Sequence, residues 1–257
     1  MNASIKIFPD FDSLSLAAAL YFTGVVQDAV EQREGALVAL SGGSTPLRLF
    51  QLLAAPPFAE LVPWKAVHFF WCDERCVPPD DPQSNFGQAH RALFQPLNIP
   101  QENLHRIAGE MAPEQAALSY TDKLRQYKSA GFDWPAFDLV LLGLGADGHT
   151  ASLFPGKTVP EYTPVLAITA DYQGRPARRV TLAPVVFNSA RHVLLLAAGA
   201  DKAAAVAMAL QGRLDPLRYP AQRIQPASGE LTWMLDAAAA QKLAGGSERQ
   251  PGLPPYR

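Results

Sequence analysis

An α/β fold, with a mainly parallel twisted sheet carrying helices on both faces in a Rossmann-like arrangement, follows from three observations. Short apolar runs bounded by Gly or Pro alternate with helical patterns from one end of the chain to the other, the pattern of βαβ crossovers and a parallel sheet. The 257 residues, 48% hydrophobic and 18% charged, suffice for one large core, since single α/β domains run to roughly 200–250 residues. No composition shift, repeat or low-complexity tract marks a boundary, so residues 1–244 read as one domain and the Gly- and Pro-rich segment 245–257 as a flexible tail.

Ile5 to Phe8 predicts the first strand. Asp12 or Ser13 then caps a long amphipathic helix that carries Leu16, Leu20, Val26 and Val30 to a stop at Gly35. Ala36 to Leu40 is a buried strand, and Thr45 before Pro46 reads as an N-cap with Pro at the first helical position. Val67 to Trp71 is the next strand, ending in Cys72-Asp-Glu-Arg, and a Pro-rich loop leads to Ser84, which caps a helix through Leu93. Pro113 to Ser129 is helical, and Asp138 to Leu142, the clearest buried strand, runs directly into Gly143-Leu-Gly-Ala-Asp-Gly-His-Thr. Later strands fall at Val165 to Thr169, Val180 to Leu182, Val193 to Ala197 and Leu231 to Met234, with a helix from Asp201 to Leu210.

Composition removes several functional classes. Twenty-two Lys and Arg against 24 Asp and Glu give a net charge of −2 with no basic run, which argues against a nucleic-acid or membrane-surface partner. Cys72 and Cys76 make neither a disulfide framework nor a zinc knuckle, and no H-E-x-x-H or paired C-x-x-C occurs, so no metal is expected. The opening MNASIKIFPD lacks the apolar run of a signal peptide, and stretches such as Leu139-Val-Leu-Leu-Gly break within about eight residues, short of the ~20 that span a bilayer. The expected location is the cytoplasm.

Ligands of open α/β sheets sit at the carboxyl ends of the strands, which singles out the polar motifs that follow strands. Ser41-Gly42-Gly43-Ser44-Thr45 sets exposed N–H groups, two hydroxyls and a helix start together, a phosphate site or an ordinary strand-to-helix turn. It contains no Lys and is no P-loop. Gly143-Leu-Gly-Ala-Asp-Gly is formally a dinucleotide fingerprint, with Asp171 at about the ribose-binding distance. Asp147 and His149, however, flank the third glycine where a pyrophosphate would approach, and Pro155 interrupts before a full helix can form. The same turn suits acid–base chemistry, with His149 held by Asp147. Asp73 and Arg75 follow another strand and fit either a polyol ligand or a solvated, ion-paired turn. Arg179 beside a strand and Lys202 just after one are further cations. His68, His90, His105 and His192 lack such settings and read as packing or surface residues, and no G-x-S-x-G elbow is present.

Taken together, Leu40-Ser-Gly-Gly-Ser-Thr-Pro46, Trp71-Cys-Asp-Glu-Arg75, Asp81-Pro-Gln-Ser-Asn85, Gly143-Leu-Gly-Ala-Asp-Gly-His-Thr-Ala-Ser-Leu-Phe-Pro155, Arg179-Val-Thr-Leu182 and Gly199-Ala-Asp-Lys-Ala203 resemble the 6-phosphogluconolactonase family over nearly the whole chain. That family is related to the glucosamine-6-phosphate isomerases and deaminases, which share the fold and a similar Asp-Gly-His loop. A deaminase would continue from the His with Asn-Glu-Pro, where this chain has Ala-Ser-Leu-Phe-Pro. Two departures, Ala183 in place of the usual Thr and Gly87-Gln88 where a Met is common, touch no charge. The resemblance implies hydrolysis of 6-phospho-D-glucono-1,5-lactone to 6-phospho-D-gluconate, a step of the oxidative pentose phosphate pathway, without cofactor or metal. It implies that His149 activates water and returns the proton, that Asp147 supports the imidazole, and that Asp73 binds sugar hydroxyls or places the water. Gly42, Gly43, Ser44, Thr45, Arg179 and Lys202 would hold the phosphate, and Arg75 would pair with the same anion or brace its loop.

Overall fold

The computed structural model describes residues 3–245 and 248–249. Its strands are β1 (Ala3–Phe8), β2 (Ala36–Leu40), β3 (Val67–Trp71), β4 (Asp73–Arg75), β5 (Leu104–His105), β6 (Leu139–Gly143), β7 (Val165–Thr169), β8 (Arg178–Leu182), β9 (His192–Ala197), β10 (Glu230–Asp236) and β11 (Glu248–Arg249). Eight form one sheet in the order β11-β1-β10-β9-β6-β2-β3-β5, with every neighbouring pair parallel. The apolar runs that predicted these strands are buried on both faces, as parallel sheets require.

β7 and β8 do not join that sheet. With β4 they make a separate antiparallel one, in the order β4-β8-β7. Gln173 and Gly174 join β7 to β8 at φ of 51° and 66°, the two-residue turn with both central residues at positive φ that closes antiparallel hairpins. β4 continues almost directly from β3 and pairs Asp73 with Thr181 and Arg75 with Arg179, so the second sheet stands against the carboxyl end of the first.

Several helix boundaries differ from the sequence reading. α1 (Phe11–Arg33) is capped by Asp10, whose Oδ1 accepts from the Ser13 N–H at 2.7 Å, and not by Asp12 or Ser13; Asp10 is the residue with extended backbone. α2 (Ser44–Leu53) is capped by Gly43 at φ 111°, a conformation that favours glycine, which puts Thr45 inside the first turn. Ser84 does cap the helix Asn85–Ala89, accepting from Gly87, and the chain continues as a wider turn over His90–Phe94. The helix from Pro113 ends at Arg125, and the later one spans Ala203–Gln211 behind a 3-10 turn, Ala200–Lys202. Of the expected tail, Glu248 and Arg249 pair with Lys6 and Ile7 of β1; residues 246, 247 and 250–257 lie outside the described residues.

α1 is long and apolar enough, by length and composition, to cross a membrane. Ser, Thr and Gly dilute its apolar content without ending it, so no unbroken apolar run marks it in the sequence. Leu14, Ala18, Phe22, Val26 and Ala29 along this helix are buried in the core.

At the sheet's amino end Asp138 accepts from the Leu37 N–H at 2.8 Å and pairs with Arg33 at 2.9 Å and Arg191 at 3.3 Å, tying α1, β2 and β9 to the start of β6. On the β3–β5 edge, His68 Nδ1 lies 3.0 Å from His105 Nε2, with Tyr127 and Phe70 packed around the pair. Burial holds the His105 imidazole down at about 4, and His68 and Lys123 add to the effect. A histidine lowered in the native state contributes stability above the unfolded value of ~6.5 that is lost as pH falls toward the folded one. Urea unfolding from about pH 7 to about pH 4 is therefore expected to show a loss on the order of 2 kcal/mol from His105. His105→Gln should shrink that loss, and an unchanged pH dependence in the variant would rule His105 out as its cause.

Candidate active site

The order of the parallel sheet reverses at one place. From β2 the chain moves outward to β3 and β5, then returns with β6 on the other side of β2 and continues to β9 and β10. Such a switch point opens a crevice at the strand carboxyl ends. The loops after four adjacent strands, β9, β6, β2 and β3, meet there, and β8 adds Arg179 through its pairing with Arg75. The resulting cleft encloses about 740 Å³ of space that is continuous with open solvent.

Gly42, Gly43, Ser44, Thr45, Asp73, Arg75, His149, Arg179 and Lys202 all line this cleft. Asp147 does not line it. It sits against the imidazole, with Oδ1 2.6 Å from His149 Nδ1 and 3.1 Å from the His149 N–H. An ionised carboxylate only accepts, so Nδ1 carries the proton and the free lone pair lies on Nε2. Burial works to raise the Asp147 carboxyl, and the hydrogen bond and charge of His149 outweigh it, holding the group below its ordinary value.

The imidazole is walled by rings. Phe154 lies 4.6 Å away at a tilt and Tyr172 meets it edge-on at 4.6 Å between centroids, which leaves its side chain only 15% exposed. Gly145 packs against its inner face, and a Cβ there would overlap Nδ1 and Cε1. The first two glycines of the formal dinucleotide fingerprint thus serve the histidine turn, and no helix follows β6 before β7. The crossover that a dinucleotide site requires is missing. Beyond His149, Ala151 adopts φ 48° in a tight turn closed by Leu153 N–H to Thr150 O, which sends the buried Ser152 hydroxyl to Asp73 Oδ2 at 2.6 Å.

Arg75 divides its donors. Nη1 donates to the Gln83 carbonyl and braces the Pro-rich loop, while Nε has no partner. Among the described residues, six buried side-chain polar atoms lack a partner, and five of them belong to cleft residues: Ser41 Oγ, Arg75 Nε, Asn85 Oδ1, and Arg179 Nε and Nη2. Folded proteins seldom leave such atoms unpaired, and a cluster of them around one cleft can bond a polar ligand or water. Burial lowers the Arg179 guanidinium, and Arg75 and Arg175 repel it further against the pull of Asp73. An anion in the cleft relieves that repulsion. Among the described residues no group of three His, Cys, Asp or Glu is placed to hold a metal ion.

Sequence reasoning missed Asn85, Tyr172 and Arg175 as cleft residues. Asn85 lay within a recognised motif. Tyr172 and Arg175 gave no local signal, because the hairpin that carries them reaches the cleft only through the pairing of β8 with β4.

The sequence model of the family described as glucosamine-6-phosphate isomerases/6-phosphogluconolactonase matches residues 9–233. Curated relatives called 6-phosphogluconolactonase include one from Nostoc sp., 37% identical and covering 95% of this chain and 100% of its own. Another, from Mycobacterium tuberculosis, is 39% identical, covering 95% and 99%. The solved 6-phosphogluconolactonase of Trypanosoma brucei superposes with a TM-score of 0.84 at 29% identity, covering 95% of this chain and 99% of that one. A monomeric glucosamine-6-phosphate deaminase, at 20% identity and a TM-score of 0.80, shares the fold.

Proposed function

The chain belongs to the glucosamine-6-phosphate isomerase/6-phosphogluconolactonase family, and from that membership we propose that it hydrolyses 6-phospho-D-glucono-1,5-lactone to 6-phospho-D-gluconate with His149 as general base. The observation that carries this reading is the meeting, in one cleft, of an Asp-held imidazole with a cationic wall in which Arg75 Nε and Arg179 Nε and Nη2 lack protein partners. The lactone carbonyl is already electrophilic. The reaction needs a water deprotonated, an anion held, and a proton for the leaving ring oxygen.

His149 Nε2 takes a proton from water as its oxygen bonds to C1. The tetrahedral intermediate then collapses, the C1–ring oxygen bond breaks, and the imidazolium returns the proton to the ring oxygen, leaving a carboxylic acid and a C5 hydroxyl; the acid then loses its proton to solvent and becomes the carboxylate. Asp147 supports the imidazolium. Asp73, fixed by Ser152 and Asn85, accepts from sugar hydroxyls or places the water. The phosphate is held by the Gly42–Gly43 turn and the α2 N-terminus with Ser44, Thr45, Arg179 and Lys202, while Arg75 keeps Nε for the same anion. No cofactor takes part, and the ligand is a sugar-phosphate lactone, with neither nucleic acid nor membrane as partner. Residues 1–244 act as one catalytic domain in the cytoplasm, a setting that suits the two free cysteines, Cys72 and Cys76.

Turnover of the lactone by purified protein, corrected for spontaneous ring opening, tests the proposal. Absence of hydrolysis, or ammonia release from glucosamine 6-phosphate in its place, would overturn it. Arg179→Ala and Lys202→Ala are each expected to raise KM for the phosphorylated lactone by about 10- to 150-fold, the equivalent of the 1.5–3 kcal/mol of a charge-assisted contact. Hydrolysis of the unphosphorylated lactone should change little; equal losses on both substrates would remove the phosphate role.

A further inference from the structure

Along β4 the side chains alternate. Asp73 and Arg75 line the cleft, and Glu74 between them turns away and is only 2% exposed. Its carboxylate is fully engaged: Oε1 accepts from the Arg75 and Asn85 N–H groups, both at 2.7 Å, and Oε2 from Ser84 Oγ at 3.0 Å and the Phe86 N–H at 2.8 Å. Burial pushes this carboxyl up to about 7 against the pull of those donors. No step of the reaction uses it. A carboxylate buried at such cost, with three of its four donors on the segment 84–86, has the holding of that segment as its task.

What the segment carries to the cleft is Asn85. Its Nδ2 donates to the Asp73 main-chain oxygen at 2.9 Å and to Oδ1 at 3.1 Å. Its Oδ1 lies over Gly42, where any Cβ would collide with it. Asn85 therefore stands between two cleft walls, the Asp73 strand and the glycine turn ahead of α2. The imidazole is anchored elsewhere, by Asp147, by packing on Gly145, and by the Thr150 hydroxyl bonded to the Gly143 carbonyl.

We infer that Glu74 is a positioning residue for substrate binding, which acts through Asn85 to fix the spacing between Asp73 and the Gly42 turn. The inference rests on the lactonase reading. Glu74→Gln keeps the shape but sets an amide NH2 among four donors. It is expected to raise KM for the phosphorylated lactone about 10-fold, equivalent to about 1.4 kcal/mol, with kcat within about threefold of wild type. Calorimetry should show 6-phosphogluconate affinity falling by the same factor. In an Asn85→Ala background the same substitution should add almost nothing, because both lesions act through one side chain. A fall in kcat at unchanged KM, or multiplication of the two effects, overturns the inference. Should Glu74→Gln fail to fold, Ser84→Ala removes one of the four donors and must move KM the same way by a smaller factor. A wild-type protein that does not hydrolyse the lactone defeats the underlying reading, whereas an active wild type with an unchanged Glu74→Gln defeats this inference alone.

Discussion

Replacing His149 by Gln is expected to lower lactone turnover by about 10²–10⁴-fold, the usual contribution of a positioned acid–base group, with the fold and 6-phosphogluconate binding retained. The side chain lies on a loop between Gly148 and Thr150 and packs against Phe154 and the edge of Tyr172, so its loss opens the cleft wall more than the core. Wild-type rate should fall on the acid side, because a protonated imidazole cannot take a proton from water. Asp147→Asn should slow the reaction and carry that limb to lower pH, because removing a negative charge 2.6 Å from Nδ1 disfavours the imidazolium. A carboxylate acting as the base would instead give an acid limb well below the histidine range. Near-wild-type turnover of His149→Gln at neutral pH, after subtraction of spontaneous opening, would eliminate the imidazole as base.

The parts of this site visible in the sequence are those fixed by local chemistry. Parallel strands such as β2, β6 and β9 are continuous apolar runs because both faces are buried, and each ends where glycines and polar residues begin, so the cleft loops could be placed before any topology was known. Strand pairing leaves no such trace. β4 is three polar residues, Asp73-Glu-Arg, which read as a loop; they are buried because β8 pairs with them and Ser84, Asn85 and Phe86 close over Glu74. β5 has two residues and no periodicity. The cap of α2 was misplaced at Thr45 because Ser-Thr-Pro is a good capping pattern, whereas the turn needs a residue at φ 111°, and Gly43 meets that need without a side-chain bond.

Gly145 shows how such a steric requirement becomes catalytic. Its φ lies outside the left-handed region, so an alanine meets no backbone strain there; the difficulty is space. The added Cβ would overlap His149 Nδ1 and Cε1 and approach Asp147 Oδ1 to 2.6 Å. The imidazole cannot retreat across the turn, because Phe154 and Tyr172 close its other sides. It must swing away and give up its bond to Asp147. Gly145→Ala is therefore expected to reduce turnover by about 10²-fold or more, as displacement of a catalytic group by about 1 Å can do, while 6-phosphogluconate still binds through the phosphate contacts on the other loops. Because the lesion passes through the imidazole, adding Gly145→Ala to His149→Gln should cost little beyond His149→Gln alone. Measured kcat values for the two single variants and the double variant decide the matter: a Gly145→Ala enzyme with near-wild-type turnover, or effects that multiply in the double variant, would show that the glycine serves the fold of the turn and not the placement of the histidine.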